Sequence, residues 1–424
     1  MTTRPPIRTA EVIAVGSELL GSTRLDTNSL FLSDRLSALG IELRAKSVVG
    51  DNREHLAAIF TQALGRVDLV VLTGGLGPTA DDLTRDVVAQ SLGLEQKEDP
   101  AIVERLEKRF AARGMRMPAI NRGQAMVPRG AVAIDNPNGT APGLYIEAGD
   151  KIVLLLPGPP REMQPMVERL SKGALLARAS DERIYRVSLY LTGRGESHVE
   201  EISQPLYSQW AGETPPIETT ILASPGQVEL HLSTRSSDGD AAMRRLTAAR
   251  DTLASALGIE VYSIDGTPLE QVVGQLLLSR GLTIAAAESC TGGLFMSRLT
   301  DVPGSSAYVQ AGVVAYSNAA KTSLVDVDPG LIAAHGAVSE PVAVAMADGA
   351  RARTGAAVGV GITGIAGPGG GTPQKPVGTV AVAVSSGDGA TVRTFNFVGP
   401  RAQVKFWATQ TALDMVRRML LERR

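Results

Sequence analysis

Between residue 10 and about residue 170, short apolar runs alternate with stretches of helical length, and this alternation constrains the fold more than any other property of the chain. Val12 to Val15 reads as a buried strand. Asn28 to Leu39 reads as an amphipathic helix, with Leu30, Phe31, Leu36 and Leu39 as its apolar residues and Gly40 as its stop. Ile41 to Val49 reads as a second strand, Arg53 to Leu64 as a second helix and Leu69 to Leu72 as a third strand. When a helix separates each strand from the next, neighbouring strands run parallel. The pattern therefore predicts an α/β fold, a parallel sheet with helices on both faces. Ligands on such sheets bind outside the carboxyl ends of the strands. The polar loop after Val15 and the loop Thr73-Gly74-Gly75-Leu76-Gly77-Pro78-Thr79 lie at that edge.

The chain has 424 residues, too many for one ordinary core. The pattern divides it into residues 1–170, a middle segment 171–262, and residues 268–424 after a short linker from Ser263 to Pro268. In the middle segment Val187, Leu189 and Leu191, and then Val228, Leu230 and Leu232, alternate with polar residues. A period of two predicts an antiparallel sheet with one wet face. A helix follows with Met243, Leu246, Leu253 and Leu257 on one stripe, giving a small α+β domain without obvious chemistry. In the last domain, helices are expected at Leu269 to Leu278 and Ala402 to Leu421, and strands at 282–287, Ala356 to Ile362 and Val377 to Val384.

The hydrophobic share is 44%, the charged share 20% and the formal net charge −2, an ordinary globular balance with no basic footprint for direct nucleic-acid binding. Cys290 is the only cysteine, so no internal disulfide can form, which fits a reducing compartment. Met1 to Thr9 lacks the apolar core of a signal peptide, and no apolar run is long enough to span a bilayer. The expectation is a cytoplasmic protein without a membrane partner. The four histidines are scattered, with no metal-ligand spacing.

The segment Ala287-Glu288-Ser289-Cys290-Thr291-Gly292-Gly293 puts three small polar residues where a strand turns into a helix. Backbone N–H groups there are free to hold an anion or a developing oxyanion. Ser289 is either a helix cap or a nucleophile; Cys290 is either a small buried hydrophobe or a rival nucleophile. A serine nucleophile needs a base. Lys321, in Tyr316-Ser317-Asn318-Ala319-Ala320-Lys321, serves if burial depresses its pKa. Tyr316 relays a proton or orients the amine. The loop from Gly361 to Gly371 brings backbone N–H groups close to a phosphate, with Lys375 and Arg401 adding charge.

These segments, with His335-Gly336-Ala337-Val338-Ser339-Glu340-Pro341 and Lys375-Pro376-Val377-Gly378-Thr379, resemble the CinA C-terminal family of nicotinamide-nucleotide amidases across the whole last domain. The resemblance implies deamidation of nicotinamide mononucleotide to nicotinate mononucleotide and ammonia. Ser289 would be the nucleophile, Lys321 its base and Tyr316 a supporting group, with no cofactor. It places Glu288, Thr291, Gly292, Gly293, Gly364, Ala366, Gly367, Lys375 and Arg401 around the substrate.

In the first domain, Gly16-Ser17-Glu18-Leu19-Leu20-Gly21, Asp26-Thr27-Asn28, the 73–84 segment, Asn138-Gly139-Thr140-Ala141-Pro142-Gly143 and Pro157-Gly158-Pro159-Pro160 resemble the molybdopterin-binding family of MoaB and MogA type. The resemblance to the CinA N-terminal subfamily implies ADP-ribose pyrophosphatase activity instead. Glu18, Asn28, Thr73, Gly74, Gly75, Gly77, Thr79, Asp81, Asn138, Gly139 and Thr140 would bind substrate. Asp82 would hold a divalent cation, Mg2+ or a similar hard ion, through water. The middle segment is similar to a KH-type module but has no Gly-x-x-Gly clamp. The family further implies a homodimer and, for some members, association with RecA. The alternative reading is a regulatory or binding protein of competence and recombination.

Overall fold

The computed structural model of the chain describes residues 4–422, which divide into two compact units. The first holds the residues up to 185 together with 235–242; the second holds 186–234 and the chain from 243 onward. The segment 171–262 is thus shared between the units rather than set apart.

In the first unit the order is β1 (Thr9–Val15), α1 (Asn28–Ala38), β2 (Glu42–Val49), α2 (Arg53–Arg66), β3 (Leu69–Thr73), α3 (Thr84–Ser91), β4 (Gln96–Glu98), α4 (Pro100–Ala111), β5 (Met126–Pro128), β6 (Val132–Ile134), β7 (Gly143–Ala148), β8 (Lys151–Leu156) and α5 (Pro160–Lys172). The main sheet runs β2-β1-β3-β8-β7-β6. Strands β2, β1, β3 and β8 are parallel, as the alternation predicts, whereas β7 and β6 are antiparallel. Ala148 pairs with Lys151 across a turn of only Gly149 and Asp150. A two-residue connection leaves no room for a crossover, so β7 must return antiparallel.

Side chains alternate across this sheet. Val12, Val71 and Leu154 face α1 and α5, and Ile13, Leu72 and Val153 face α2 and α3. In α1 the buried face is Asn28, Ser29, Leu32 and Leu36. Leu30, expected on the apolar stripe, is 64% exposed because it lies off the face that Leu32 and Leu36 share.

The chain continues through β9 (Arg183–Leu191), α6 (Glu196–Ala211), β10 (Glu218–Ser224), β11 (Gln227–Ser236), α7 (Gly239–Leu257) and β12 (Val261–Ser263), with sheet order β10-β11-β9-β12. Val228, Leu230 and Leu232 are buried and their neighbours half-buried, as the period of two predicts. Leu246, Leu253 and Leu257 are buried in α7, but Met243 is 38% exposed and lies outside that stripe.

The rest of the second unit comprises α8 (Leu269–Ser279), β13 (Ile284–Glu288), α9 (Leu294–Thr300), β14 (Val309–Val314), α10 (Asn318–Val325), α11 (Pro329–His335), α12 (Glu340–Thr354), β15 (Val358–Gly364), β16 (Thr379–Ser386), β17 (Gly389–Asn396) and α13 (Arg401–Glu422). Its sheet runs β14-β13-β15-β16-β17. Strands β14, β13 and β15 are parallel, while β16 and β17 return antiparallel. Helices α8 and α13 cover one face; α12 covers the other. A Cβ on Gly361 would lie 2.0 Å from the carbonyl of Ala343 in α12, so only glycine lets that helix lie so close to β15. The carboxyl ends of three parallel strands deliver the loops after Glu288, Val314 and Gly364 to one edge. Among the described residues no helix is long and apolar enough to cross a membrane.

Candidate functional site

At that edge the Lys321 Nζ and Ser289 Oγ lie within hydrogen-bond distance at 3.1 Å, although 32 residues separate them. Ser289 is carried on the turn after β13, where its N–H donates to the Ile362 carbonyl at 2.9 Å. Lys321 projects from α10, whose N-cap Ser317 accepts from the Ala320 N–H at 3.1 Å. The lysine is 2% exposed and the serine 7%. Two further acceptors orient the amine, the carbonyls of Ala315 at 3.1 Å and Tyr316 at 3.4 Å. With two of its N–H groups so directed, the remaining valence of a neutral amine faces the serine hydroxyl. Burial holds the Lys321 amine below the usual lysine range, which favours the uncharged form a base requires.

Cys290 is buried beside this pair, and burial pushes its thiol up to about 12. The thiol is therefore protonated at neutral pH and serves as packing, which disfavours it as a rival nucleophile.

Around the pair lies a cavity of about 260 Å³. Of the residues singled out in the sequence, Ser289, Cys290, Tyr316, Lys321, Gly364, Ala366, Gly367 and Arg401 line it. Arg401, the first residue of α13, donates to the Gly367 carbonyl at 2.8 Å and to the Tyr316 hydroxyl at 2.9 Å. Tyr316 is 59% exposed and meets Lys321 through its backbone carbonyl rather than its phenol.

Glu288, Thr291, Gly292, Gly293 and Lys375 are not among the lining residues. The buried Glu288 carboxylate accepts the N–H groups of Gly293 (3.0 Å), Phe295 (3.1 Å) and Met296 (3.0 Å), and so holds the start of α9. Thr291 is fully buried, and its hydroxyl has no partner among the described residues. The Lys375 ammonium is committed to the carbonyls of Val338 (2.7 Å) and His335 (3.0 Å), where it fastens the loop after α11. The cavity also takes in Asn318, Val338 and Thr363, which the sequence reading did not assign to the site. Asn318 stood beside Tyr316 in a segment already singled out; the Thr363 hydroxyl donates to the Ala337 carbonyl at 2.7 Å and carries no local sign of its role.

The first unit has its own site at the carboxyl ends of β1, β3 and β8. Two cavities, of about 350 and 410 Å³, share Val15, Glu18, Gly158 and Pro159. Gly74, Gly75, Gly77, Asp81, Asp82 and Thr140 line the first. Asn28 and Thr73 line the second. Thr79, Asn138 and Gly139 line neither. Gly74 has φ 103°, and a Cβ there would sit 2.2 Å from the Val15 carbonyl. The loop thus depends on glycine to pass over β1. Asp82 latches it, accepting from the N–H groups of Gly77 (2.7 Å) and Thr79 (2.9 Å) and from the Thr79 hydroxyl. Asp51, Gln124 and Glu162 complete the lining without having been singled out.

Among the described residues no three potential ligands converge as a metal cage. The Asp82 carboxylate is occupied by its own loop. Asp51 accepts the Ser17 N–H at 2.8 Å, and Glu162 accepts the Asn136 amide at 2.8 Å. The carboxylates of Asp51, Asp82 and Glu162 are thus each held by groups of the protein itself.

Two family descriptions match the chain. The family described as CinA C-terminal domain matches residues 266–420, and that described as probable molybdopterin binding domain matches residues 11–177. A CinA-like protein of Koribacter versatilis is 47% identical over 97% of this chain and 100% of its own length. One of Acidobacterium capsulatum is 44% identical over the same shares. The crystal structure of a competence/damage inducible protein from Agrobacterium tumefaciens is 38% identical, covers 36% of this chain and 94% of its own, and superposes with a TM-score of 0.36. On full-length identity, the chain belongs to the CinA-like protein family.

Proposed function

We propose that the chain is a bifunctional pyridine-nucleotide hydrolase whose second unit deamidates nicotinamide mononucleotide. The observation that carries this reading is the buried contact between Ser289 Oγ and Lys321 Nζ at 3.1 Å. Neutral Lys321 takes the Ser289 proton as Oγ attacks the carboxamide carbon. N–H groups of the turn after β13 receive the oxyanion. The lysine returns the proton to the leaving amine, ammonia departs, and water hydrolyses the acyl-serine to nicotinate mononucleotide. Arg401 and the loop from Gly364 to Gly370 hold the phosphate.

For the first unit we propose hydrolysis of ADP-ribose. Two adjoining cavities with a shared wall suit a ligand of two halves joined by a pyrophosphate. A divalent cation bound with the substrate would neutralise phosphate charge. Glu18 and Asp81 would steady that ion, and the loop fastened by Asp82 would supply N–H donors.

The test is parallel turnover of both substrates by the wild type, Ser289→Ala and Asp82→Ala. Each substitution is expected to abolish one activity and spare the other; loss of both from either change overturns independent sites. Absence of ammonia release from the intact protein would favour the alternative, a regulatory or binding protein of competence and recombination.

A further inference from the structure

The second unit contains another cavity, of about 450 Å³, that neither proposed reaction uses. It lies where the turn between β9 and α6 meets β17 and α13. One wall is a ladder of aromatic rings. Phe395 stacks on Phe397 with centroids 5.7 Å apart and planes 5° from parallel, and Phe397 on Trp407 at 5.9 Å and 21°. The rings are half-buried, so the ladder is held by the core yet open to the cavity.

Cations surround this wall. Arg393 lies over the Phe395 ring at 5.2 Å, and no ion pair is found for it among the described residues. Arg194 and Arg418 also line the cavity, paired with Glu260 at 3.0 Å and Asp414 at 2.7 Å. The other Asp414 oxygen is already taken by Arg417 at 2.7 and 2.9 Å, so one carboxylate is shared by two guanidinium groups. Three arginines thus face two carboxylates within the lining. Gly195, also in the lining, is the N-cap of the 16-residue α6 and offers no side chain to its free N–H groups. Gln410 completes the floor. It is 2% exposed, its Nε2 has no acceptor among the described residues, and its Oε1 accepts from Arg298 at 2.7 Å.

A stacked aromatic face beside a cationic one recognises a flat ring that carries an anion. The volume is within the ordinary range of about 300–1,000 Å³ for small-molecule sites. The geometry points to a mononucleotide site: the base packs against the wall formed by Phe395, Phe397 and Trp407, and the phosphate meets Arg194, Arg418 and the start of α6. The site is separate from the serine–lysine centre, and its existence does not depend on the amidase reading.

Trp407 is a built-in reporter, because the chain has only two tryptophans and Trp210→Phe leaves it alone. AMP titrated into the full-length Trp210→Phe protein is expected to change Trp407 fluorescence saturably. Adenosine, ribose 5-phosphate and inorganic phosphate should each bind about tenfold or more weakly, since each lacks one half of the recognised chemistry. Arg194→Gln, and separately Arg393→Gln at an exposed position, should weaken AMP by a similar factor; Arg401→Ala and Asp82→Ala should leave it unchanged. No saturable response at millimolar AMP overturns the proposal. So does binding of adenosine as tight as that of AMP, or an AMP response lost in Arg401→Ala and kept in both Arg194→Gln and Arg393→Gln.

Discussion

Arg401 donates to the hydroxyl of Tyr316 at 2.9 Å, joining the first residue of α13 to the loop after β14 across the mouth of the serine–lysine cavity. A second bond from Arg401 to the Gly367 carbonyl adds the glycine-rich loop to the same clasp. On the proposed reading, these groups would surround the part of the substrate that does not react. Their loss should weaken binding more than chemistry. Arg401→Ala is expected to raise KM for nicotinamide mononucleotide about 10- to 100-fold with a smaller change in kcat. Turnover of nicotinamide riboside, which lacks the phosphate, should change little. Steady-state kinetics on both substrates decide it; equal losses on the two would remove Arg401 from phosphate binding.

Ser289→Ala should lower ammonia release by roughly 10³-fold or more, the scale on which a covalent nucleophile is lost. Cys290→Ser should retain most of the rate, because the thiol is buried and protonated. A larger loss from the cysteine change than from the serine change would reverse the assignment.

Lys321 gives a prediction in pH. Burial lowers its pKa, so the native protein releases this proton at a lower pH than the unfolded chain does. Between the two values the unfolded chain binds more protons, and native stability rises with pH. The contribution is lost as pH falls through the native value. Lys321→Met removes this titration. The stability of the wild type relative to the variant should therefore grow as pH is raised toward the ordinary lysine range, as read by urea denaturation at a series of pH values. A constant difference across that range would mean that the amine has the same pKa in both states. Ammonia release by the wild type should rise with pH over the lowered value, and Lys321→Arg, which stays protonated, should be inactive.

Gly74→Ala forces a methyl group to within 2.2 Å of the Val15 carbonyl at a backbone φ of 103°. The expected cost is about 1–3 kcal/mol of stability in the first unit, with loss of ADP-ribose hydrolysis and retention of ammonia release. Calorimetry resolving the two units, combined with both assays, would check it. An unshifted first transition would mean that the loop moves away from β1.

Chelation separates the two reactions again. Removal of divalent cations should stop ADP-ribose cleavage and leave deamidation untouched, since the proposed serine–lysine scheme calls on no metal. Ammonia release that fell with chelator and returned with Mg2+ would contradict the serine–lysine scheme.

The parallel half of each sheet was legible because buried parallel strands are nearly continuous apolar runs, as at Leu69–Leu72 and Ile284–Ala287. The antiparallel edges were less so. Strand β17 is exposed at most positions and lacks a buried stripe, and β6 is three residues long. In the site, Ser289 and Lys321 were visible as residue types with a need for each other. Lys375 and Glu288 were not separable from ligand-binding residues, because a charge that fastens a loop looks the same in one dimension as a charge that holds a substrate. What distinguishes them is the set of carbonyls and N–H groups they reach, which depends on segments such as His335–Val338 folding over them. Arg401 shows the converse: expected to add charge beside the glycine-rich loop, it opens α13 and also lines the cavity.

The enclosure of Cys290 has a consequence for how the protein ages. Its single sulfhydryl is 5% exposed, and burial keeps it protonated at neutral pH. Peroxide, disulfide reagents and alkylating agents need a reachable thiolate. On the proposed reading, acyl chemistry built on an alcohol and an amine beside a protonated thiol should keep running under oxidant exposure that silences thiol-dependent hydrolases.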